Sequence, residues 1–482
     1  MKNDNRDYYP GQWDPEEAEQ QELQPAKRQG RTCTVGFLLS MLCLVTAITV
    51  LLTYTLTSAS NKRYYAELLR AQQETINQLK DGKGEHDADI NLDKLELLAY
   101  LFEQHSYYAG RVSEEELLDS VLKAYAAATG DVYAAYYSAE EYAALNADNV
   151  GDHVGIGVSV SQTKLTVEGT EYLAFQILAI YENGPAADSA LQVGDYIYGI
   201  RVGDTFRSVS ELGYDQAINY VKGEKGSEAE LVIFRPTDSS YETKYVSVIR
   251  DTFESVSVTY KLAENDRTVG IVQISNFDLT TPKQFKKAVD ALLDLGVEHF
   301  IFDVRNNPGG DLQSIKAVLT YFLKEGDVIL SAIDKNGDTV TTYSAEPIFL
   351  FGDYASCNVT QDEIGMYADL DIVVLCNENT ASAAEVFTAT LRDYGLAETV
   401  GVTTFGKGIM QSFFPLSQYG NYTGYVKMTT YAYVTKCGVT YHEIGITPDR
   451  TVELSDQAKQ YHFYLLPQAL DDQLQTAISQ FQ

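Results

Sequence analysis

The spacing of apolar residues predicts two consecutive helices ahead of the longer apolar runs. In residues 92–107 and 113–128, apolar side chains recur every three or four positions, which places them on one face of a helix. The second range opens with Ser113, and Glu116 follows three positions later. This is a capping-box pattern, in which the two side chains bind the first free amides of a helix.

Further along the chain, near-continuous apolar runs replace the helical spacing. Val269–Phe277 and His299–Val304 predict buried strands, and Pro282–Leu295 between them has the spacing of a helix. A strand–helix–strand order predicts a parallel crossover and therefore a layered core. Other patterns predict helices at 312–323, 385–394 and 471–481 and a strand at 409–416.

Residues Thr34–Leu56 form an apolar stretch without a charge, long enough to cross a bilayer core as one helix. A cleaved signal peptide has a shorter apolar region, so the stretch favours an uncleaved anchor, although Thr57–Ala59 could mimic a cleavage site. Basic residues flank the stretch on both sides, which makes the positive-inside signal weak. A long downstream region can cross regardless of its charge. The charges alone leave the orientation open, and it is the family resemblance given below that implies residues 1–32 in the cytoplasm and the rest outside.

Composition narrows the class of function. With 482 residues the chain is long enough for two or three domains, and its 45% hydrophobic content can supply their cores. The formal net charge of −32 argues against a nucleic-acid partner, which needs clustered Lys and Arg. The five cysteines form neither a CxxC motif nor a Cys/His cluster, so no zinc site or disulfide framework is predicted. Cys376 lies in an apolar run and is predicted to be a small core residue.

Two residues in Gly/Ala-rich segments are the strongest candidates for chemistry. Ser382 is a weak nucleophile that needs a base, and Lys407 can be that base if its surroundings keep it unprotonated. Free lysine titrates near ~10.4, so a base that works near ~7 needs a pKa shift of roughly 3 units, which desolvation can supply. The six histidines show no recognisable triad setting.

Each of these residues also has a plainer interpretation. Ser382 alone could be an ordinary helix N-cap, and the glycines beside Lys407 could mark a solvated turn. The spacing between Gly401 and Gly406 also looks like a truncated phosphate-binding loop. That motif needs Ser or Thr after its lysine, where this chain has Gly408, and it needs a helix beyond.

Four blocks of sequence stand in order around these residues: DVRNNPGG at 303–310, TASAAE at 380–385, TFGKG with Gln411 at 404–411, and GITPD at 445–449. In their order, and in the interval of 25 residues from Ser382 to Lys407, they resemble the carboxyl-terminal processing peptidases, also called tail-specific proteases. One departure is Ala384, where that family often has a second serine. With its flanking domains, the similarity covers roughly residues 92–482.

This resemblance implies a serine peptidase that uses acyl-enzyme chemistry, on a core similar to the crotonase and Clp-protease type. Ser382 would be the nucleophile and Lys407 the general base, with Gln411 orienting the lysine amine by a hydrogen bond. Backbone amides would form the oxyanion hole, because a side chain there would crowd the substrate. No metal or organic cofactor is implied. The oxyanion donors are predicted at Gly310, assisted by Gly309, and at Ala383.

Four glycine-containing blocks lie between Gly151 and Phe253: GIGV at 155–158, GPAA at 184–187, GDYI at 194–197 and VKG at 221–223. In order, they resemble a PDZ domain. In such a domain the glycines let successive amides point inward to hold a terminal carboxylate, and the next strand pairs with the peptide. An alternative interpretation is a degenerate PDZ domain that only regulates access to the active site. The predicted peptide-binding residues are Gly155, Ile156, Gly157 and Val158.

Together these features predict an α+β multidomain chain with one N-terminal transmembrane helix and a β-rich PDZ-like domain inserted before an α/β serine peptidase core. The expected substrates are proteins or peptides with accessible C-terminal tails, and the expected location is the cell membrane, with the catalytic region outside the cytoplasm. The sequence leaves open whether the chain forms a homodimer. The predicted boundaries are 1–32 for a disordered tail, 33–56 for the transmembrane helix, 57–91 for a stalk, 92–150 for a helical segment, 151–253 for the PDZ domain, 254–454 for the peptidase core and 455–482 for a helical tail.

Two other functions fit parts of these features. A membrane-anchored PDZ scaffold with an inactive core would bind tails without cleaving them, although the intact set of Ser382, Lys407 and Gln411 argues against it. A crotonase-type acyl-CoA enzyme would share the core geometry. It gives no reason, however, for a PDZ domain or for an outside location.

Overall fold

A computed structural model describes residues 92–150, 152–237 and 240–482 of the chain. The chain divides into two units, residues 1–104 and 105–482. Helix α1 (Leu92–His105) confirms the first predicted helix. The predicted membrane anchor and stalk lie outside the described residues. Among the residues that are described, no helix combines the length and the apolar character needed to span a bilayer.

The second predicted helix, α2 (Glu114–Ala128), begins as its sequence indicates. The Ser113 hydroxyl accepts a hydrogen bond from the amide of Glu116, and the Glu116 carboxylate accepts one from the amide of Ser113. The capping box is therefore confirmed. Strand β1 (Ala135–Tyr137) and helix α3 (Ala139–Val150) follow.

Residues 152–254 are rich in strands. A six-stranded sheet has the order β3-β4-β5-β7-β8, with β6 paired to β5, while β2 pairs with β9. Buried apolar side chains, among them Phe175, Ile197 and Ile233, form its core. The elements are β2 (Asp152–Gly155), β3 (Val158–Val167), β4 (Thr170–Ile180), β5 (Tyr196–Val202), β6 (Thr205–Ser208), α4 (Val209–Leu212), α5 (Tyr214–Lys222), β7 (Glu228–Pro236), β8 (Tyr241–Ile249) and β9 (Asp251–Glu254).

The following residues build a second six-stranded sheet with the order β10-β11-β12-β15-β16-β19. Strand β11 runs parallel to β12, and helix α6 connects them, which confirms the predicted parallel crossover. Strand β10 is antiparallel to β11, and the remaining neighbours are parallel. The elements are β10 (Val258–Leu262), β11 (Val269–Ile274), α6 (Thr281–Asp294), β12 (His299–Asp303), β15 (Asp371–Cys376), α8 (Ala383–Asp393), β16 (Ala397–Gly401) and β19 (Arg450–Thr451).

Both faces of this sheet are covered, which explains why its strands read as continuous apolar runs. Along β12, Phe300 and Phe302 enter the large core cluster, whereas Ile301 enters a second cluster on the other face. Leu474 of helix α9 (Asp472–Ile478) belongs to that second cluster, so the predicted closing helix seals the sheet. Cys376 is fully buried in the large cluster, as predicted.

A further sheet of five strands completes the large core. Strands β1, β18, β13 and β14 are neighbours in that order, and β17 pairs antiparallel with β18. Strand β1 is therefore joined to an element almost at the other end of the chain. The remaining elements are α7 (Leu312–Thr320), β13 (Val328–Ile333), β14 (Thr339–Ser344), β17 (Ile409–Pro415), β18 (Tyr425–Thr435) and short 3-10 turns at Pro185–Asp188, Gly352–Cys357, Gln361–Glu363, Leu416–Gln418, Ala458–Gln460, Phe463–Leu465, Gln468–Leu470 and Ser479–Phe481.

Candidate active site

Ser382 lies at the N-terminal end of helix α8, as the sequence predicts, in an unusual backbone conformation. Its φ is 54° and its ψ is −119°, a region that non-glycine residues rarely occupy and that costs about 1–3 kcal/mol. Such strain persists only where the surroundings fix it. The sharp turn presents the hydroxyl at the positive end of the helix dipole, which favours developing negative charge.

Hydrogen bonds from the preceding turn hold Ser382 in place. The Thr380 hydroxyl donates to the carbonyl oxygen of Val304 at 2.8 Å, and the Ala381 amide donates to that of Asn307 at 2.9 Å. The turn before the serine is thus attached to the loop that follows β12. That loop carries the glycines predicted to form the oxyanion hole.

Glu385 connects the serine to the lysine segment. Its carboxylate is fully buried and accepts four hydrogen bonds. Oε2 accepts from the amides of Ser382 at 2.9 Å and Lys407 at 2.8 Å. Oε1 accepts from the Gly406 amide at 2.7 Å and the Thr404 hydroxyl at 2.6 Å. Glu385 was not among the predicted site residues; its position three residues after Ser382 indicates a bond to the Ser382 amide, but not its burial or its bonds to residues 404–407.

Lys407 is partly buried, and its surroundings favour the neutral amine. Burial lowers the pKa of Lys407 and the neighbouring charge of Lys427 lowers it further, while Glu385 opposes both. The Lys407 Nζ lies 4.5 Å from the centre of the Tyr133 ring. The buried Tyr433 hydroxyl donates to the Lys407 carbonyl at 2.6 Å and interacts with the Ser382 side chain.

Ser382, Lys407 and Gln411 line one cavity of about 460 Å³. No hydrogen bond joins Ser382 Oγ to Lys407 Nζ among the described residues. Catalytic hydrogen bonds are often long in the absence of substrate and become shorter in the complex with substrate. The cavity also has an apolar wall, to which Ile315, Leu330, Val386, Met410, Phe413 and Leu145 contribute.

Two of the three predicted oxyanion residues, Gly310 and Ala383, line this cavity. Ala383 is the first residue of α8, so its N–H has no acceptor within the helix. Gly310 must be glycine, because a Cβ there would lie 2.1 Å from the Phe277 carbonyl oxygen. The Gly309 amide donates to Asn307 Oδ1 at 2.8 Å, so in this arrangement it supports the loop and is not free to bind an oxyanion.

Asp303 and Arg305 form a buried ion-pair network with the C-terminal segment. Arg305 binds Asp303 Oδ2 at 2.7 Å and Asp471 Oδ2 at 2.8 Å. Burial opposes the charge of Arg305, but the two carboxylates outweigh it and raise its pKa. The network therefore attaches the start of the glycine loop to the C-terminal segment. His442 also has a structural setting, with Nδ1 3.3 Å from the Gly406 carbonyl oxygen.

The chain after Lys407 continues as strand β17 rather than as a helix. The phosphate-binding interpretation of this loop therefore lacks the helix that the motif requires. Gln411 lies on that strand and donates from Nε2 to the Thr429 hydroxyl at 3.2 Å.

The four predicted peptide-binding residues, 155–158, lie together along a second cavity of about 480 Å³. Ile218 and Val221 of helix α5 form part of the opposite wall. The loop is fixed by hydrogen bonds from the Ala186 amide to the Ile156 carbonyl at 2.7 Å and from the Tyr181 amide to the Gly157 carbonyl at 3.0 Å. The result is a groove between a glycine loop and a helix.

Comparison with known proteins agrees with this geometry. Residues 268–452 match peptidase family S41. The chain is 28% identical over 362 residues to the "Probable CtpA-like serine protease" of Staphylococcus epidermidis, covering 75% of this chain and 65% of that protein. It is 28% identical over 377 residues to the "Carboxy-terminal processing protease CtpA" of Bacillus subtilis, covering 78% of this chain and 72% of that protein.

A solved structure of a photosystem II D1 C-terminal processing protease is similar at 23% identity, with a TM-score of 0.41 and coverage of 73% of this chain and 88% of that chain. The chain spans less than two thirds, 65%, of the length of the S. epidermidis protein named above. The matched region contains Ser382, Glu385, Lys407 and the glycine loop. Residues 268–452 of this chain are therefore similar in sequence to peptidase family S41.

Proposed function

We propose that this chain is a serine endopeptidase that recognises C-terminal tails of extracytoplasmic proteins and cleaves them with a Ser–Lys dyad. One observation carries the proposal. The buried carboxylate of Glu385 accepts hydrogen bonds from the amides of both Ser382 and Lys407. The proposed nucleophile, Ser382, and the proposed base, Lys407, are therefore held beside the same cavity. The S41 match and the names of the similar proteases support the reaction class.

The proposed reaction is acyl transfer in two halves. Lys407 Nζ takes the proton of Ser382 Oγ as the oxygen attacks the peptide carbonyl carbon, and the amides of Gly310 and Ala383 stabilise the oxyanion. The carbon–nitrogen bond then breaks, and the Lys407 ammonium gives its proton to the leaving amine. In the second half, Lys407 takes a proton from water as the water oxygen attacks the ester carbon, and it returns that proton to Ser382 Oγ when the carbon–oxygen bond breaks.

Cleavage of an unstructured peptide by the purified full chain tests this assignment. We expect Ser382→Ala and Lys407→Ala to lose cleavage, while Lys459→Ala, which removes an exposed lysine elsewhere, keeps it. Because only the neutral amine accepts the proton, kcat/KM should rise with pH through a Lys407 pKa below the ordinary lysine value. Equal cleavage by all variants would refute the dyad, and tail binding without cleavage would indicate a scaffold.

The strand-rich residues 152–254 are proposed to be a PDZ-like domain that binds the substrate tail. Gly155, Ile156, Gly157 and Val158 would hold the terminal carboxylate with backbone amides. Strand β3 is an edge of its sheet in the described residues, which leaves it able to pair with an extended peptide. The apolar wall of the groove suits an apolar side chain at the tail end.

Fluorescence anisotropy with labelled peptides checks the tail-binding proposal. A peptide with a free C-terminal carboxylate should bind the full chain more tightly than the same peptide with a C-terminal amide. Ile218→Glu, which places a negative charge in the groove, should weaken binding of the free acid. Equal affinity for acid and amide would contradict carboxylate recognition.

The location is proposed to be the cell membrane, with residues 33–56 as the anchor and the catalytic region outside the cytoplasm. The uncharged stretch Thr34–Leu56 supports this placement. In intact cells producing the full chain, a membrane-impermeant cysteine reagent should label the exposed Cys437. Labelling only after lysis would place the catalytic region inside and overturn the proposal.

A further inference from the structure

A segment far upstream of the active site contacts its base. We name residues 131–137 the bridging segment; it comprises a loop and strand β1. Strand β1 pairs with β18, with Ala135 opposite Lys427. The loop places Asp131 against Thr429, a residue 298 positions later in the chain. Asp131 and Tyr133 of this segment have contacts that lead to Gln411 and Lys407, respectively.

Asp131 fixes the direction of a hydroxyl. Its Oδ2 accepts the Thr429 amide at 2.7 Å, and its Oδ1 accepts the Thr429 hydroxyl at 3.0 Å. Burial opposes ionisation of Asp131, but the amides of Thr429 and Tyr133 outweigh it, so its pKa lies below the ordinary value. The carboxylate is therefore ionised at neutral pH and can only accept. The Thr429 hydroxyl therefore donates its only proton to Asp131.

A hydroxyl that already donates its proton can only accept hydrogen bonds from its other neighbours. Thr429 Oγ1 accepts from Gln411 Nε2 at 3.2 Å, which assigns the nitrogen end of the Gln411 amide to this side. The carbonyl oxygen Oε1 is then left to accept from another donor. Gln411 and Lys407 line the same cavity, and the lysine amine is a donor whether it is charged or neutral.

The same carboxylate also fixes the ring that covers the lysine. Asp131 Oδ1 accepts the Tyr133 amide at 2.9 Å, which closes a turn. The turn brings the Tyr133 ring centre to 4.5 Å from Lys407 Nζ. An aromatic ring at this distance excludes water from one side of the amine, which lowers the pKa of Lys407, while the attraction of the ring face for an ammonium opposes this effect. We infer that the exclusion of water outweighs the attraction.

We propose that Asp131 is a positioning residue for the catalytic base: through Thr429 it directs the Gln411 carbonyl oxygen toward Lys407, and through its turn it holds the Tyr133 ring over the Lys407 amine. The inference rests on the proposed function, since it gives these contacts a role only if Lys407 acts as a base. It assigns a role to a residue outside the family S41 match.

Several groups face Lys407, and the experiment must separate them. Lys427 on β18 lowers the pKa of Lys407 and Glu385 on α8 raises it. The buried Tyr433 hydroxyl donates to the Lys407 carbonyl. None of these is changed by substitution of Tyr133. A displaced pH profile in a Tyr133 variant therefore reports the loss of the ring itself.

The first test isolates the hydroxyl, using the full chain and an unstructured peptide. Thr429→Val keeps shape and the backbone bond to Asp131 but removes the acceptor of Gln411, and kcat should fall about tenfold, the value of one modest hydrogen bond. Thr429→Ser should restore most of kcat, while KM stays within about twofold in both. Thr430→Val, which removes the neighbouring hydroxyl that pairs with Ser412, is the matched control. Equal kcat in the Val and Ser variants would overturn the role of Thr429.

The second test follows the amine itself and needs no turnover. Trace labelling of lysines with acetic anhydride at a series of pH values, read by mass spectrometry on the Lys407 peptide, gives the titration of that amine. Tyr133→Ala should move the Lys407 titration up by about one pH unit, toward the ordinary lysine value, whereas Tyr133→Phe keeps the ring and the titration. Identical titrations in all forms would overturn the role of the segment.

The two levels of the proposal fail in different ways. If Ser382→Ala cleaves as fast as the unaltered chain, the proposed function is wrong. If Ser382→Ala is inactive but Thr429→Val keeps full kcat and Tyr133→Ala keeps the Lys407 titration, only the positioning role is wrong. Circular dichroism spectra of each variant that match the unaltered chain exclude misfolding as the cause of a loss.

Discussion

Substitution of Glu385 by glutamine is the sharpest test of how the active site is held together. The change keeps the size of the side chain but replaces one acceptor oxygen by an NH₂ donor. Whichever way the amide turns, its nitrogen faces two groups that now donate to the carboxylate. Turned toward Ser382 and Lys407, the nitrogen leaves two amides without an acceptor; turned the other way, it leaves the Gly406 amide unpaired, while the Thr404 hydroxyl can rotate to accept. One or two hydrogen bonds to a charged group are therefore lost, at about 1.5–3 kcal/mol each, so we expect local destabilisation of about 1.5–6 kcal/mol.

The loss should be visible at the amides that Glu385 binds. Hydrogen exchange measured by mass spectrometry should become faster in the peptide that contains Gly406 and Lys407, since one of these two N–H groups loses its acceptor whichever way the amide turns. The cleavage rate should fall as well, because the nucleophile and base segments are no longer joined. Glu398→Gln, which alters an exposed carboxylate paired with Arg450, is the matched control.

The same substitution makes a second prediction of definite sign. The charge of Glu385 raises the pKa of Lys407, so its removal lowers that pKa. Activity that needs neutral lysine should then begin at lower pH, even though its maximum is reduced. If hydrogen exchange at residues 404–408 and the cleavage rate both stayed unchanged, Glu385 would not be what joins the Ser382 and Lys407 segments.

Three further predictions concern the surroundings of the site. Arg305→Met leaves two buried carboxylates without their partner and should destabilise the core by about 3–5 kcal/mol, measured by urea denaturation. Gly310→Ala should lower kcat by about 10²-fold or more, because its Cβ meets a carbonyl oxygen and displaces the amide predicted to bind the oxyanion. Gly337→Ala is the matched control: it also strains the backbone, at a φ of 88°, but its Cβ meets open space far from this loop, so kcat should stay unchanged. Burial raises the pKa of the Cys376 thiol to about 12, so peptide mapping should find it unmodified by a thiol reagent in the native chain, whereas the exposed Cys437 reacts.

Much of the large core could be predicted because its strands are buried on both faces. Runs such as Val269–Ile274 and His299–Asp303 are apolar throughout, and a strand–helix–strand order then allows a parallel pairing. The position of Ser382 before a helix was also readable from the sequence. Its φ of 54° was not, because strain depends on the contacts that impose it.

The contacts that organise the site were beyond the sequence for a physical reason. A glutamate in the first turn of a helix is usually a solvated residue that favours the helix dipole, so Glu385 gave no sign that it is fully buried with four donors. The use of the Gly309 amide by Asn307 depends on the path of one loop. The pairing of Asp131 with Thr429 requires two strands from distant parts of the chain to meet.

The hydrogen bonds of Glu385 explain how a buried carboxylate can fix the Lys407 segment without an ion pair to the lysine amine. If Glu385 bound the Lys407 ammonium directly, the ion pair would favour the charged form, by about 1–3 pKa units for a close partner. The four donors that it binds are instead three backbone amides and one hydroxyl. The carboxylate is therefore attached to the backbone of Lys407, while the amine lies under the Tyr133 ring. Attachment through the backbone therefore fixes the position of Lys407, while Glu385 raises the pKa of its amine less than a direct ion pair would.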